Sequence, residues 1–209
     1  MEIEFLKEQL VFVCDLLNNN NINYYVVGAL GAYIDANIPI MRKHDDIDIM
    51  ILEKDVIKLK KIFDNSNYIF YDNRFKSDKI LNEYGYTDGD HEVYAQYKYN
   101  DFHIGFFLFD KDDEYYSIIE YFKENGIQKR LIRKLPLRYL KYQYNETKTK
   151  YLGVNIKTVT KECIYKNKKN MNRDKDIFDI KNLEKYINYE KLNNLSGMSK
   201  ERISIIENV

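Results

Sequence analysis

Tryptophan is missing from this 209-residue chain, and cysteine and proline occur only twice each. Cys14 and Cys163 stand far apart and match no metal or redox spacing, which excludes a disulfide framework and a cysteine-built zinc site. They read as buried or surface thiols of a reducing compartment. Net charge is also missing, since Lys and Arg total 33 and Asp and Glu total 33. That balance excludes bulk attraction to nucleic acid or membrane and leaves room only for a local basic site. No stretch approaches the roughly 18 apolar residues of a membrane span. The start, MEIEFLKEQLVFVC, carries acids where a signal peptide needs a basic region. The expectation is a soluble, cytoplasmic protein without a membrane partner.

What is present suffices for one ordinary domain, or for a core with an appendage: 44% of the residues are hydrophobic. Ile3, Leu6, Leu10, Val13 and Leu17 recur at helical spacing, which predicts a helix over 2–18. YYVV (24–27) predicts a short strand closed by Gly28, and ALGAYIDAN a helix after it. Residues 45–52 read as a strand, 55–63 as a helix, 68–71 as a strand and 72–90 as loop. HEVYAQYKY and DFHIGFFLF read as a hairpin turning near Asn100. Residues 113–146 read as mostly helical, broken at Gly126 and Pro136. A strand-like YLGVNI leads to a helix opening near Thr160, and further helices follow. This order predicts an α+β fold with a helical C-terminal part.

HDDIDIMI (44–51) places acids inside a strand. Successive side chains alternate faces, so Asp46 and Asp48 share one face and Ile47 and Ile49 the other. Two carboxylates that close repel unless a cation sits between them, and oxygen donors suit Mg²⁺. An isolated D-x-D is more often a solvated edge. Here VVGALGAY lies upstream, a strand–glycine–helix junction whose backbone N–H groups and helix dipole suit a phosphate. Asp101 opens a further strand and shares a face with His103 and Gly105. All three histidines, His44, His91 and His103, fall in or beside these segments.

VVGALGAYI…RKHDDIDIMI resembles the nucleotidyltransferase superfamily. The spelling Arg42, His44, Asp46, Asp48 is nearest to its lincosamide- and aminoglycoside-modifying adenylyltransferases. TVTKECIYKNKKNMNRDKDIFDI (158–180) is similar to a C-terminal helix pair of that family, with Glu162 and Lys166 a turn apart and then Arg173, Lys175, Asp176 and Asp179. The resemblance implies a mixed β-sheet core with flanking helices over 1–112 and a mainly helical part over 113–209, packed on it. It implies two Mg²⁺ ions held by Asp46, Asp48 and Asp101, and a nucleoside triphosphate whose phosphates meet Gly28, Ala29, Arg42 and Lys175. Glu92 or His103 would take the proton of a small hydroxylated acceptor of antibiotic or sugar type, and pyrophosphate would leave.

The chain departs from the family pattern at Ala29, which lacks the usual side-chain hydroxyl or second glycine. A second alignment, to the phosphocholine-transferase and fukutin-like branch, puts Gly105 where the third carboxylate would be. The two alignments stay open at this point. So do a toxin-type enzyme acting on tRNA or protein, suggested by the basic run KNKKNMNRDK (166–175), and a catalytically degenerate binding module. A homodimer with a shared cleft is open as well.

Overall fold

The computed structural model describes residues 2–80, 91–171 and 173–209. In chain order the elements are α1 (Ile3–Asn19), β1 (Tyr24–Val26), α2 (Gly28–Asp35), β2 (Asp46–Leu52), α3 (Val56–Phe63), β3 (Tyr68–Asp72), β4 (Val93–Tyr97) and β5 (His103–Lys111). There follow β6 (Tyr115–Glu124), β7 (Ile127–Pro136), α4 (Leu140–Gln143), β8 (Tyr144–Tyr151), β9 (Val154–Val159), α5 (Lys161–Met171), α6 (Asp174–Leu183), α7 (Tyr189–Ser196) and β10 (Ile203–Asn208). The α+β class holds, and through β5 the elements fall where the hydrophobic periodicity puts them. Part of the stretch read as loop, residues 81–90, lies outside the described residues.

The helical reading of 113–146 is overturned. Residues 115–136 form the antiparallel hairpin β6–β7, paired from Tyr115↔Pro136 to Glu124↔Ile127. Its turn is Asn125-Gly126, with φ of 51° and 80°. Both residues lie in the left-handed region that a two-residue hairpin turn demands, and Asn-Gly is the usual spelling of it. Gly126 therefore reverses a strand rather than ending a helix. YLGVNI is likewise two strand ends around a turn at Leu152-Gly153. A C-terminal strand, β10, pairs antiparallel with β7 where only helices were anticipated. Helices of the C-terminal part are confined to α4 through α7 and short 3-10 turns.

Contacts gather the chain into two compact units: Met1–Asp48 with Arg138–Glu201, and Ile49–Leu137 with Arg202–Val209. This differs from a division in chain order at residue 112.

In the first unit β8 pairs antiparallel with β9, and β9 pairs parallel with β1 through Val26↔Thr158. The Val27 N–H donates to Asp48 O at 2.9 Å, which ties the end of β1 to the start of β2. Helix α1 buries Leu6, Leu10, Val13 and Leu17. Each such side chain contributes roughly 1.5–3 kcal/mol by leaving water. Cys14 and Cys163 are buried, and burial pushes both thiols up to about 12.

The second unit is antiparallel. β3 pairs with β4 and β4 with the first half of β5. The second half of β5 pairs with β6, β6 with β7, and β7 with β10. Helix α3 lays Val56, Leu59 and Phe63 on this sheet, and the Phe63 ring lies 6.0 Å from Phe106.

Candidate active site

The acids of β2 sit as alternation requires. Asp46 and Asp48 are half-buried, whereas Ile47 and Ile49 are fully buried on the opposite face. A rigid strand thus carries two carboxylates toward the same side.

Gly28 stands against Asp48. Its φ is +64°, and a Cβ there would lie 2.9 Å from Asp48 Oδ2. Glycine is needed twice over: for the left-handed backbone and for the closeness of the carboxylate. The residue begins α2, whose N-cap, Val27, supplies no side-chain hydrogen bond. Val27 thus leaves the first-turn amides of Gly28 and Ala29 without a cap from its side chain, next to Asp48. That is the disposition of an anion site at a helix start.

A buried charge cluster braces the loop that leads into β2. Arg42 grips Asp179 with both prongs, Nε to Oδ1 at 2.9 Å and Nη2 to Oδ2 at 3.0 Å, while Nη1 donates to Lys43 O at 3.0 Å. The Tyr33 hydroxyl also donates to Asp179. Lys168 Nζ donates to Asp176 Oδ1 at 2.6 Å and lies 2.9 Å from Asp179 Oδ2. Arg173 Nε donates to Asp176 Oδ2 at 2.6 Å. Both aspartates are fully buried. Burial pushes their pKa up, but the hydrogen bonds and charges of Arg42, Tyr33, Lys168 and Arg173 outweigh it and hold both carboxyls below the usual carboxylate range.

His44, in the same loop, is 7% exposed, and its Nε2 has no hydrogen-bond partner among the described residues. Burial, with Arg42 nearby, pulls its pKa down to about 4, so the ring is neutral at pH 7.

The cluster changes several roles read from the sequence. Arg42 has its Nε and both terminal nitrogens committed inside the protein, so as placed it braces the loop rather than facing a nucleotide. Lys175 is exposed on α6, one residue before the buried Asp176. Glu162 and Lys166 do not pair: Glu162 Oε1 accepts from the Asn188 N–H at 2.9 Å, and Lys166 donates to Leu195 O. Within the basic run, Lys166 and Lys168 serve internal partners, while Arg173 pairs with Asp176 and stays exposed. The R-x-K-D-x-x-D spelling signalled this, since positions 176 and 179 share a face of α6.

The other candidates belong to the second unit. Glu92 is mostly buried, with Lys79 Nζ 3.1 Å from its Oε1, and that oxygen accepts no hydrogen bond among the described residues. Asp101 does not open the strand. It lies in an exposed bend two residues before His103, the half-buried first residue of β5. Among the described residues no group of three or more His, Cys, Asp or Glu side chains is placed to hold a metal. No helix of the described residues is long and apolar enough to cross a membrane.

The fold is similar to that of solved antibiotic adenylyltransferases. No protein-family model matches the sequence, and no curated protein matches it. Solved structures do match. Lincosamide antibiotic adenylyltransferase LnuA, in its lincomycin-bound crystal structure, superposes with a TM-score of 0.56 at 19% identity, over 86% of this chain and 97% of that one. The solution structure of the antibiotic-resistance factor ANT(2'')-Ia gives 0.57 at 14% identity, over 91% of this chain and 89% of that one. ANT(2'')-Ia in complex with adenylyl-2''-tobramycin gives 0.55 at 15% identity, over 92% and 93%. At these identities the likeness is one of fold.

Proposed function

We propose that this chain is a nucleotidyltransferase that moves a nucleoside monophosphate from a nucleoside triphosphate to a hydroxyl of a small molecule and releases pyrophosphate. The observation that carries this reading is the carboxylate pair of β2 set against the Gly28 turn. Asp46 and Asp48 offer hard oxygen donors, and the absence of a Cβ at Gly28 lets the Asp48 carboxylate lie close against the start of α2. These two residues would hold Mg²⁺, which commonly takes one or two carboxylates and completes its shell with substrate phosphates and water. Bound there, the ion supplies charge neutralisation for the phosphates and activation of the acceptor hydroxyl. Asp101 is not required for that arrangement.

The chain's own work is positioning. The Gly28 and Ala29 amides face the β- and γ-phosphates, and the side chain of Ala29 adds nothing to them. The Arg42–Asp179 brace holds the loop so that Asp46 enters β2 in one register. Glu92 and His103, the candidate bases for the proton of the incoming hydroxyl, belong to the second unit. Likeness to two antibiotic adenylyltransferases favours ATP as donor and an antibiotic-like acceptor. Internal use of Lys166 and Lys168 leaves only Lys169, Arg173 and Lys175 of that run exposed, a small footprint for the phosphate backbone of a tRNA.

Isothermal titration with ATP, GTP, CTP and UTP, with and without Mg²⁺, tests the reading. Mg²⁺-dependent binding of one triphosphate, abolished in Asp48→Asn with unchanged melting temperature, is the expected result. Triphosphate binding that is indifferent to both Mg²⁺ and Asp48→Asn would overturn it.

A further inference from the structure

His44 belongs neither to the brace nor to the carboxylate pair, yet it touches the surroundings of both. It lies in the loop before β2, two residues before Asp46. Its ring meets the Tyr33 ring edge-on at 6.3 Å, with 87° between the planes. The residue is 7% exposed, and its Nε2 makes no hydrogen bond among the described residues. A buried polar nitrogen without a partner is costly and rare. Leucine would fill a similar volume there without that cost. The nitrogen therefore calls for a partner that comes from outside the chain.

Four charged groups act on the ring: Arg42, Asp179, Asp48 and Lys168. Three of them are committed to one another in the brace, with Arg42 and Lys168 each 2.9 Å from the Asp179 carboxylate. The fourth, Asp48, is half of the carboxylate pair. His44 thus borders brace and pair alike, and all of these residues lie in the first unit.

The missing partner can be narrowed by chemistry. Among the described residues no three His, Cys, Asp or Glu side chains are placed to hold a metal, so His44 is not set to join Asp46 and Asp48 as a ligand. A Mg²⁺ ion on one or two carboxylates keeps several waters. The ion polarises those waters into strong donors, and each needs an acceptor. Arg42 and Lys168 only donate, whereas a neutral imidazole offers one lone pair.

We propose that His44 is a positioning residue for the divalent cation, its Nε2 accepting a hydrogen bond from a water of the ion held by Asp46 and Asp48. The buried ring thereby fixes the ion's shell relative to the braced loop. This rests on the transferase reading, which supplies the ion, and deepens it by naming what orients the metal.

Mn²⁺, which shares the octahedral oxygen preference of Mg²⁺, tests it by paramagnetic-resonance titration of the protein without nucleotide. In His44→Leu we expect Mn²⁺ affinity to fall about tenfold or more. The melting temperature without metal is expected to hold or rise, because no unpaired nitrogen is then buried. His44→Gln, whose amide oxygen can accept where Nε2 did, is expected to bind within about threefold of native. His44→Asn, whose amide ends one atom short, is expected to behave as His44→Leu and replaces it if the leucine variant does not fold. Native affinity in both His44→Leu and His44→Asn would overturn the proposal. A lowered metal-free melting temperature with no rescue by His44→Gln would overturn it as well and assign the ring to packing. So would a nitrogen coordinated to Mn²⁺ in the pulsed spectrum, since that makes His44 a ligand. Triphosphate titration keeps the two readings apart. Mn²⁺ binding that follows His44 without any triphosphate binding retains this role and sinks the transferase. Triphosphate binding with Mn²⁺ affinity indifferent to His44 does the reverse.

Discussion

Arg42 and Asp179 stand far apart in the chain, yet meet in a two-pronged ion pair with N–O distances of 2.9 and 3.0 Å. The pair joins the loop before β2 to helix α6. The Asp179 side chain is fully buried and also serves Tyr33 and Lys168, so its removal strands two cations and a hydroxyl. We expect Asp179→Ala to cost about 3–5 kcal/mol in urea unfolding. Arg42→Met is expected to cost less, because Lys168 still neutralises the carboxylate. Equal small losses in both variants would show that the pair braces nothing.

The same cluster sets an acid limit. Folded Asp176 and Asp179 titrate below their unfolded value, which is about 3.9. Their stabilisation is therefore complete above that value and fades as pH falls through the folded pKa values. Urea midpoints of the native protein are expected to drop steeply below pH about 4. A double Asp176→Asn, Asp179→Asn variant, if it folds, starts lower and shows a flatter acid limb.

Gly28→Ala meets two penalties. A left-handed backbone costs a non-glycine residue about 1–2 kcal/mol. The new Cβ would also press on Asp48 Oδ2 at 2.9 Å. Mg²⁺-dependent triphosphate binding is expected to weaken by more than the melting temperature alone explains. Unaltered binding in a destabilised protein would separate the turn from the site.

The Asn125-Gly126 turn is testable apart from any chemistry. Gly126 has φ +80° and open space around it, so Gly126→Val is limited by backbone alone. It is expected to lower stability by about 1–2 kcal/mol, with nucleotide binding retained.

Legibility followed periodicity. The strand HDDIDIMI could be read because its acids and isoleucines alternate, and α1 because its apolar residues repeat at three and four. YYSIIEYFKE has apolar residues in adjacent pairs, which fits either period. Only Asn125-Gly126 decides for strands, a signal of backbone sign rather than of hydrophobicity. Asp46, Asp48 and Gly28 were legible as a set, since two β-strand residues and a strand–helix glycine lie close in sequence. The brace was visible only as a motif. That Asp179 would receive Arg42 depends on a fold that returns α6 to the loop before β2, and no local pattern carries such a meeting.

The first unit is built from two stretches, with the whole of Ile49–Leu137 inserted between them. On a ribosome, α1 and β1 emerge long before β9, the parallel neighbour of β1, exists. The apolar face of α1 must wait through the synthesis of nearly all of the second unit. The inserted stretch, needing only β10 from the C-terminus, can pair most of its strands as they appear. Synthesis therefore favours an order: hairpins of the second unit first, closure of the first unit last. Until α6 is made, the loop before β2 stands without its brace, so the setting of Asp46 and Asp48 depends on a helix made more than a hundred residues later and not on their strand alone.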